Sequence, residues 1–192
     1  LPPQFAGLYS LDVMWDWPCE YRKVDGLPSS YCTFGAPWDS AARKAMLWGD
    51  SHAEHLAPMI EAGLAGEDVS FLVYGNCPAA LGGTVNRQRA DMPTYAAGCS
   101  GKRADGLAYL GAHPEIALVV LAGAWSRVAT TVSASGVPQG QDGTGLMRRG
   151  IDEFLTEATS PGRRILIVAD TPMYDRDPIP CVIARDASLL RR

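Results

Sequence analysis

The chain has 192 residues, of which 47% are hydrophobic, enough for one domain with a sizeable core. Its 17 basic and 21 acidic residues are scattered and give a net charge of −4, so we expect no nucleic-acid partner. The longest apolar run, 116–124, is about half of the roughly 20 residues that a transmembrane helix needs, so we expect no membrane insertion by this chain.

The first 43 residues differ in composition from the rest. They are rich in Pro, Trp, Tyr and Cys and show no sustained period of 2 or 3.6 residues. We expect residues 1–43 to form an irregular, disulfide-held segment that packs on a body formed by residues 44–192. Because the chain begins Leu1-Pro2-Pro3, without an initiator Met or an apolar leader, we expect it to be either a processed product or a piece of a longer protein, and we favour the piece.

Apolar runs and amphipathic segments alternate through the remaining residues. Strands are predicted at 45–48, 69–74, 116–122 and 164–169, and helices at 53–64, 102–112 and 146–158. Pro58 predicts a kink in the first helix or a separate first turn over 51–55, and residues 126–144 are predicted to form a long loop, with a short hairpin as an option. The alternation predicts an α/β fold with a parallel sheet between helices, and active groups at the carboxyl ends of its strands.

Five cysteines are many for a cytosolic domain of this length, and none forms a close pair of the kind found in zinc or redox motifs. Cys19 and Cys32 bracket one loop that contains Pro, Gly and Ser. Cys77 and Cys99 bracket a second irregular stretch, which makes these two pairings the simplest disulfides. Cys181 is left over, either as half of a disulfide whose partner lies beyond the C-terminal residue or as an ordinary buried thiol.

One run of residues points to chemistry: Leu47-Trp48-Gly49-Asp50-Ser51-His52-Ala53, in which a predicted strand turns into a helix. A serine in the first turn of a helix lies beside backbone N–H groups that lack intrahelical acceptors, at the positive end of the helix dipole. An oxyanion formed next to Ser51 would be stabilised there, and Gly49 allows the tight turn. The alternative is that Ser51 is simply an N-cap residue.

This run resembles the SGNH hydrolase family, in particular the domain fused to membrane acyltransferases that O-acetylate cell-surface polysaccharides. His55 and Pro58 follow it as they do in that family, and further landmarks agree in order. These landmarks are the two cysteines before the run, Cys77-Pro78, Val119-Val120-Leu121-Ala122 ending at Trp125, and the segment from Pro178 to Cys181. The resemblance covers nearly the whole chain.

The resemblance implies a three-layer α/β/α, flavodoxin-like (SGNH hydrolase) fold, with Ser51 as the nucleophile and a location on the periplasmic or extracellular face. It implies transfer of an acyl group, usually acetyl, from an acyl donor through acyl-Ser51 to a glycan acceptor. A membrane acyltransferase domain is the implied partner. Asp50, His52 and His55 are expected to support the site, and no cofactor or metal is expected.

The resemblance also implies where oxyanion donors should lie. Besides the Ser51 N–H, the family places a glycine donor after the second strand, where Gly75, Gly82 and Gly83 are the alternatives. The family's asparagine after the third strand has no counterpart, because Trp125 stands in its place. The indole N–H of Trp125 is a candidate donor, and packing of the ring is the alternative.

The family's catalytic base, the histidine of an Asp-x-x-His sequence near the C-terminal end, has no counterpart here. The three histidines, His52, His55 and His113, all lack an aspartate three residues earlier. A flavodoxin-like sheet has a fifth strand and four are predicted, so we expect the chain to lack the C-terminal strand and helix together with the base. We therefore expect these 192 residues alone to be nearly inactive.

Other functions stay open on the sequence alone. A carbohydrate esterase or deacetylase would pass the acyl group to water, and a non-catalytic glycan-binding module would explain the missing base and asparagine. Asp50, His52 and His55 could form part of a metal site, as in a metallophosphoesterase. An α/β-hydrolase is disfavoured because Ala53 stands where the second glycine of the nucleophile elbow would be.

Overall fold

Strands and helices alternate through the described part of the chain, which is residue 17 with residues 19–139 and 141–170 of a computed structural model. The strands are β1 (Glu20–Lys23), β2 (Ser30–Gly35), β3 (Arg43–Gly49), β4 (Val69–Tyr74), β5 (Val85–Arg87), β6 (Ile116–Ala122), β7 (Val132–Ala134) and β8 (Arg164–Ile167). The helices are α1 (Ser51–Gly63), α2 (Tyr95–Ala112), α3 (Trp125–Ala129) and α4 (Gly143–Ala158). The predicted leftover Cys181 and any C-terminal strand or helix lie outside the described residues.

Six of the strands form one sheet in the order β1-β2-β4-β3-β6-β8. β4, β3, β6 and β8 run parallel to one another, whereas β1 and β2 extend the β4 edge as antiparallel strands. All four strands predicted from the sequence lie in the parallel part. Their order, second-first-third-fourth, is that of a flavodoxin-like sheet, so the predicted fold class is confirmed.

Helices cover both faces of this sheet. On one face the ring of Trp48 lies 4.8 Å from that of Phe154 in α4, and it also lies against Gly106 of α2, where an added Cβ would come within 2.4 Å of the ring. Successive residues of a strand point to opposite faces, and Gly49 accordingly lies against Ala53 of α1. The unit Cys19–Asp170 therefore has three layers, α/β/α, and its strands β3, β4 and β6 are apolar because they are largely buried between the helices.

Residues 19–43, the described part of the N-terminal segment predicted to be irregular, contain two strands. Cys19–Asp170 form one compact unit, and β1 and β2 are an antiparallel pair that belongs to the main sheet. The four central residues of β2, Tyr31 to Phe34, are all buried. Because both of its faces are covered, β2 lacks the alternation of polar and apolar residues that would have marked it as a strand.

The helices also differ from the prediction in detail. α1 begins at Ser51 and contains Pro58 without a separate first turn. The predicted loop over 126–144 contains α3 and β7, and β7 pairs with β5 in a small second sheet. No helix in the ranges that the structure describes is long and apolar enough to cross a membrane.

Candidate active site

The carboxyl ends of β3 and β6 lie side by side, and Ser51 lies next to them. A Cβ at Gly49 would lie 1.8 Å from the carbonyl oxygen of Ala122, the last residue of β6, and 2.7 Å from the Cβ of Ala53. Only glycine fits between these atoms, so β3 can turn directly into α1. Ser51 is the first residue of that helix and is exposed.

Asp50 fixes this turn with its carboxylate. Its Oδ1 accepts a hydrogen bond from the His52 N–H at 2.9 Å, and its Oδ2 accepts one from the Ala124 N–H at 3.1 Å. The first bond caps the N-terminus of α1. The second joins α1 to the loop that follows β6, so Asp50 positions Ser51 relative to the ends of two neighbouring strands.

The backbone N–H of Ser51 has no hydrogen-bond acceptor among the described residues. The first four N–H groups of a helix have no intrahelical acceptor. Here the His52 N–H is taken by the Asp50 carboxylate, and the Ala53 and Glu54 N–H groups point to the Asp50 carbonyl. Of these four N–H groups, only the Ser51 N–H lacks an acceptor in the described part of the chain. Together with the helix dipole it favours negative charge beside the Ser51 hydroxyl.

Ser51 opens onto a cavity of about 350 Å³. Part of the wall comes from residues that follow β3, β4, β5 and β6, and the rest from β5, α1, α2 and α3. The lining residues are Asp50, Ser51, His52, Asn76, Arg87, Arg89, Tyr95, Ala124, Arg127 and Val128. The cavity thus lies at the carboxyl ends of parallel strands, where open α/β sheets bind their ligands.

His52 lies near the carboxylate of Asp170, and the rings of His52 and His55 stack on each other. The Nδ1 of His52 lies 3.7 Å from Oδ1 of Asp170, and Oδ2 of Asp170 accepts hydrogen bonds from the N–H (2.8 Å) and hydroxyl (2.6 Å) of Ser126. The two histidine rings stack with centroids 5.7 Å apart, and burial, then the charge of His52, lowers the pKa of His55. No histidine nitrogen in the described ranges hydrogen-bonds to Ser51.

A family model described as the SGNH domain fused to AT3 domains matches residues 18–192. The chain belongs to this SGNH family. Membership places it among hydrolase and acyltransferase domains and implies an AT3 membrane acyltransferase domain as its partner. No curated protein and no solved structure matches the chain.

Of the predicted glycine donors in the SGNH domain, Gly75 is next in sequence to a residue of the cavity wall. Gly75 directly precedes Asn76, which lines the cavity with a positive φ of 80°. Gly82 and Gly83 do not line it. The N–H of Gly82 donates to the Val85 carbonyl at 3.1 Å, in a turn at the entry to β5.

Trp125, the other candidate donor, uses its indole N–H within the SGNH domain itself. That group donates to the carbonyl oxygen of Val168 at 2.7 Å. The ring therefore ties α3 to the end of β8, and its N–H is not free to meet an oxyanion. Packing of the ring, the alternative considered for Trp125, agrees with this contact.

Buried charges support the turn that carries Asn76. Lys102 Nζ donates to the Gly75 carbonyl at 3.0 Å, and a Cβ at Gly75 would come within 2.4 Å of Oε1 of Glu54. Burial raises the pKa of Glu54, and the charge of Lys102 opposes this rise. Burial lowers the pKa of Lys102, and the charge of Glu54 opposes that fall. Lys102 therefore holds the Gly75 carbonyl, and the Glu54 carboxylate lies beside the Gly75 backbone.

Sequence reasoning missed Asn76 and Asp170 as residues of the site. It sought an asparagine after the third predicted strand, whereas Asn76 follows the second, β4. Asp170 comes soon after β8 and reaches His52. Both could have been found by collecting every polar residue that follows a parallel strand, because all these strands end at the same edge of the sheet.

Both predicted disulfides, Cys19–Cys32 and Cys77–Cys99, are present. The second joins the turn after β4 to α2, the helix that begins at Tyr95 of the cavity wall. In the part of the chain that the structure describes, no group of three or more His, Cys, Asp or Glu residues is placed to hold a metal ion.

Proposed function

We propose that this SGNH domain transfers an acyl group, usually acetyl, to a cell-surface glycan through an acyl-Ser51 intermediate. The observation that carries the proposal is the exposed Ser51 at the first position of α1, facing a cavity with its own N–H free of acceptors in the described residues. Such a hydroxyl is placed for nucleophilic attack, and the N–H is placed for the charge that attack creates.

Two steps complete the transfer. In the first, the Ser51 oxygen bonds to the carbonyl carbon of the acyl donor, and the negative charge on the carbonyl oxygen is stabilised by the Ser51 N–H and by the turn at Gly75 and Asn76. The leaving group departs with the serine proton. In the second, a sugar hydroxyl attacks the ester, its proton returns to Ser51, and the acylated sugar leaves. Water as the acceptor would instead make the domain a carbohydrate esterase or deacetylase.

These proton transfers need a base, and His52 and His55 do not contact Ser51. The 192 residues contain no Asp-x-x-His sequence, the pattern from which the resemblance implies the family's base. Oxyanion stabilisation and binding alone retain part of the catalytic rate when a triad residue is missing. We therefore expect this chain to acylate Ser51 slowly and with activated esters only.

The two disulfides support a location outside the cytoplasm, because such bonds persist in oxidising compartments. We propose that the domain works on the periplasmic or extracellular face, next to the AT3 domain that its family implies. That membrane domain would deliver the acyl group to this side.

A second candidate is a glycan-binding module without turnover. It is favoured by the absence of a histidine contact to the Ser51 hydroxyl among the described residues. Such a module would bind saccharides through the same cavity, and replacing Ser51 would change binding without changing any release of acetate.

Replacing Ser51 tests the proposal directly. We expect Ser51→Ala to abolish the slow release of p-nitrophenol from p-nitrophenyl acetate, because the nucleophile is lost. Ser40→Ala is the matched control and should leave the rate unchanged. Ser40 is exposed and precedes the amino-terminal end of β3, whereas Ser51 follows its carboxyl end. Equal rates for the wild type and Ser51→Ala would contradict the proposal and favour the binding module.

A further inference from the structure

Three arginines line the Ser51 cavity and give it a local positive charge. Arg87 is the last residue of β5, Arg89 follows it, and Arg127 lies in α3. The one carboxylate among the described lining residues is that of Asp50, and it already accepts two backbone hydrogen bonds. A chain with a net charge of −4 has thus collected three positive side chains beside its candidate nucleophile.

Two of these guanidinium groups form no ion pair with a carboxylate in the described part of the chain. Arg89 pairs with Asp91 at the surface, but no described carboxylate lies within ion-pair distance of Arg87 or Arg127. The Nε of Arg87 is also buried with no described acceptor. Burying a donor without an acceptor is costly unless a ligand completes the hydrogen bond.

Tyr95 holds two of the arginines close together. The Arg87 and Arg89 guanidinium carbons lie 5.9 Å and 5.3 Å from the centre of its ring. These contacts orient the two groups, yet like charges in one cavity repel each other. An anion bound in the cavity would relieve this repulsion, and the planar guanidinium fork matches a carboxylate or phosphate oxygen pair.

We propose that the cavity recognises a negatively charged saccharide, with a carboxylate or phosphate group held by Arg87 and Arg127 while a neighbouring hydroxyl faces Ser51. This inference rests on the proposed function, because it makes the charged saccharide the acceptor of the acyl group. The anionic group fixes the orientation of the sugar, and the positive cavity raises the rate at which an anionic glycan arrives.

Binding to the Ser51→Ala chain tests the inference without any transfer step. Calorimetry would compare tri-galacturonate with galactotriose, and galactose 6-phosphate with galactose, at low ionic strength. We expect at least one charged sugar to bind about tenfold or more tightly than its neutral counterpart, and added salt to weaken it. The two charged probes distinguish a carboxylate from a phosphate.

Matched variants assign the effect to the cavity. Arg87→Gln and Arg127→Gln should each weaken binding of the preferred charged sugar by about tenfold or more, the loss of a charge-assisted hydrogen bond. Arg43→Gln is the control, because Arg43 is at the amino-terminal end of β3, opposite the cavity end, and pairs with Glu67 at the surface. It should leave the affinity unchanged.

Neutral sugars that bind as tightly as charged ones, or an Arg43→Gln variant that weakens binding as much as Arg87→Gln does, would overturn the inference. Acylation of Ser51 by p-nitrophenyl acetate in the wild-type chain is scored separately. Acylation without preference for charged sugars overturns the inference alone. Preference for charged sugars without acylation overturns the proposed acyl transfer and its acceptor assignment together, leaving an anion-binding module.

Discussion

Three consecutive residues perform three separate tasks at the end of β3. Gly49 allows two strand ends to meet, Asp50 caps α1 and holds the loop after β6, and Ser51 presents a hydroxyl beside an N–H that no described group accepts. The serine and glycine could be assigned from the sequence because strand-to-helix turns leave a local signature. The second bond of Asp50 could not, because its partner Ala124 lies 74 positions away.

The close approach at Gly49 leads to a prediction about stability. Gly49→Ala should lower the free energy of unfolding by about 1–3 kcal/mol, because the new Cβ would overlap the Ala122 carbonyl and Ala53. Gly63→Ala is the matched control at the other end of α1, where nothing lies within 4 Å of an added Cβ. It should be neutral or stabilise by up to about 1 kcal/mol. Urea denaturation measures both, and equal effects would contradict the account.

At the scale of elements, the cavity is completed by parts that lie outside the parallel sheet. β5 and β7 form a separate pair, and α2 begins at Tyr95. β5 and β7 have three residues each, too few for a reliable periodic pattern, so sequence reasoning placed this region in loops. The disulfide Cys77–Cys99 was predictable, and it is the covalent link between α2 and the turn after β4.

The two disulfides should differ in their effect on Ser51. Replacing both Cys77 and Cys99 by Ala should cost about 3 kcal/mol of stability and slow acylation of Ser51, because the turn carrying Asn76 loses its anchor. Replacing both Cys19 and Cys32 should cost a similar free energy of unfolding. Because that bridge lies at the β1–β2 edge of the sheet, its loss should leave the acylation rate of the folded chain unchanged. A loss of acylation in the second variant alone would contradict this division.

At the scale of the whole molecule, the sheet was predictable and the charge distribution was not. The four parallel strands are apolar runs bounded by turn residues, and their order follows from the fold class. The basic residues are scattered along the sequence, which argued against a nucleic-acid partner. Folding nevertheless brings Arg87, Arg89 and Arg127 to one cavity through tertiary contacts that no local pattern records.

The central claim is that Ser51 carries the acyl group, and mass spectrometry of a trapped intermediate tests it most directly. The chain would be mixed with excess p-nitrophenyl acetate, quenched in acid within seconds and digested with a protease. The account predicts one acetyl group on Ser51 in the wild type and none on that peptide in Ser51→Ala. Acetylation confined to other residues, or an unmodified Ser51 while p-nitrophenol is released, would contradict it.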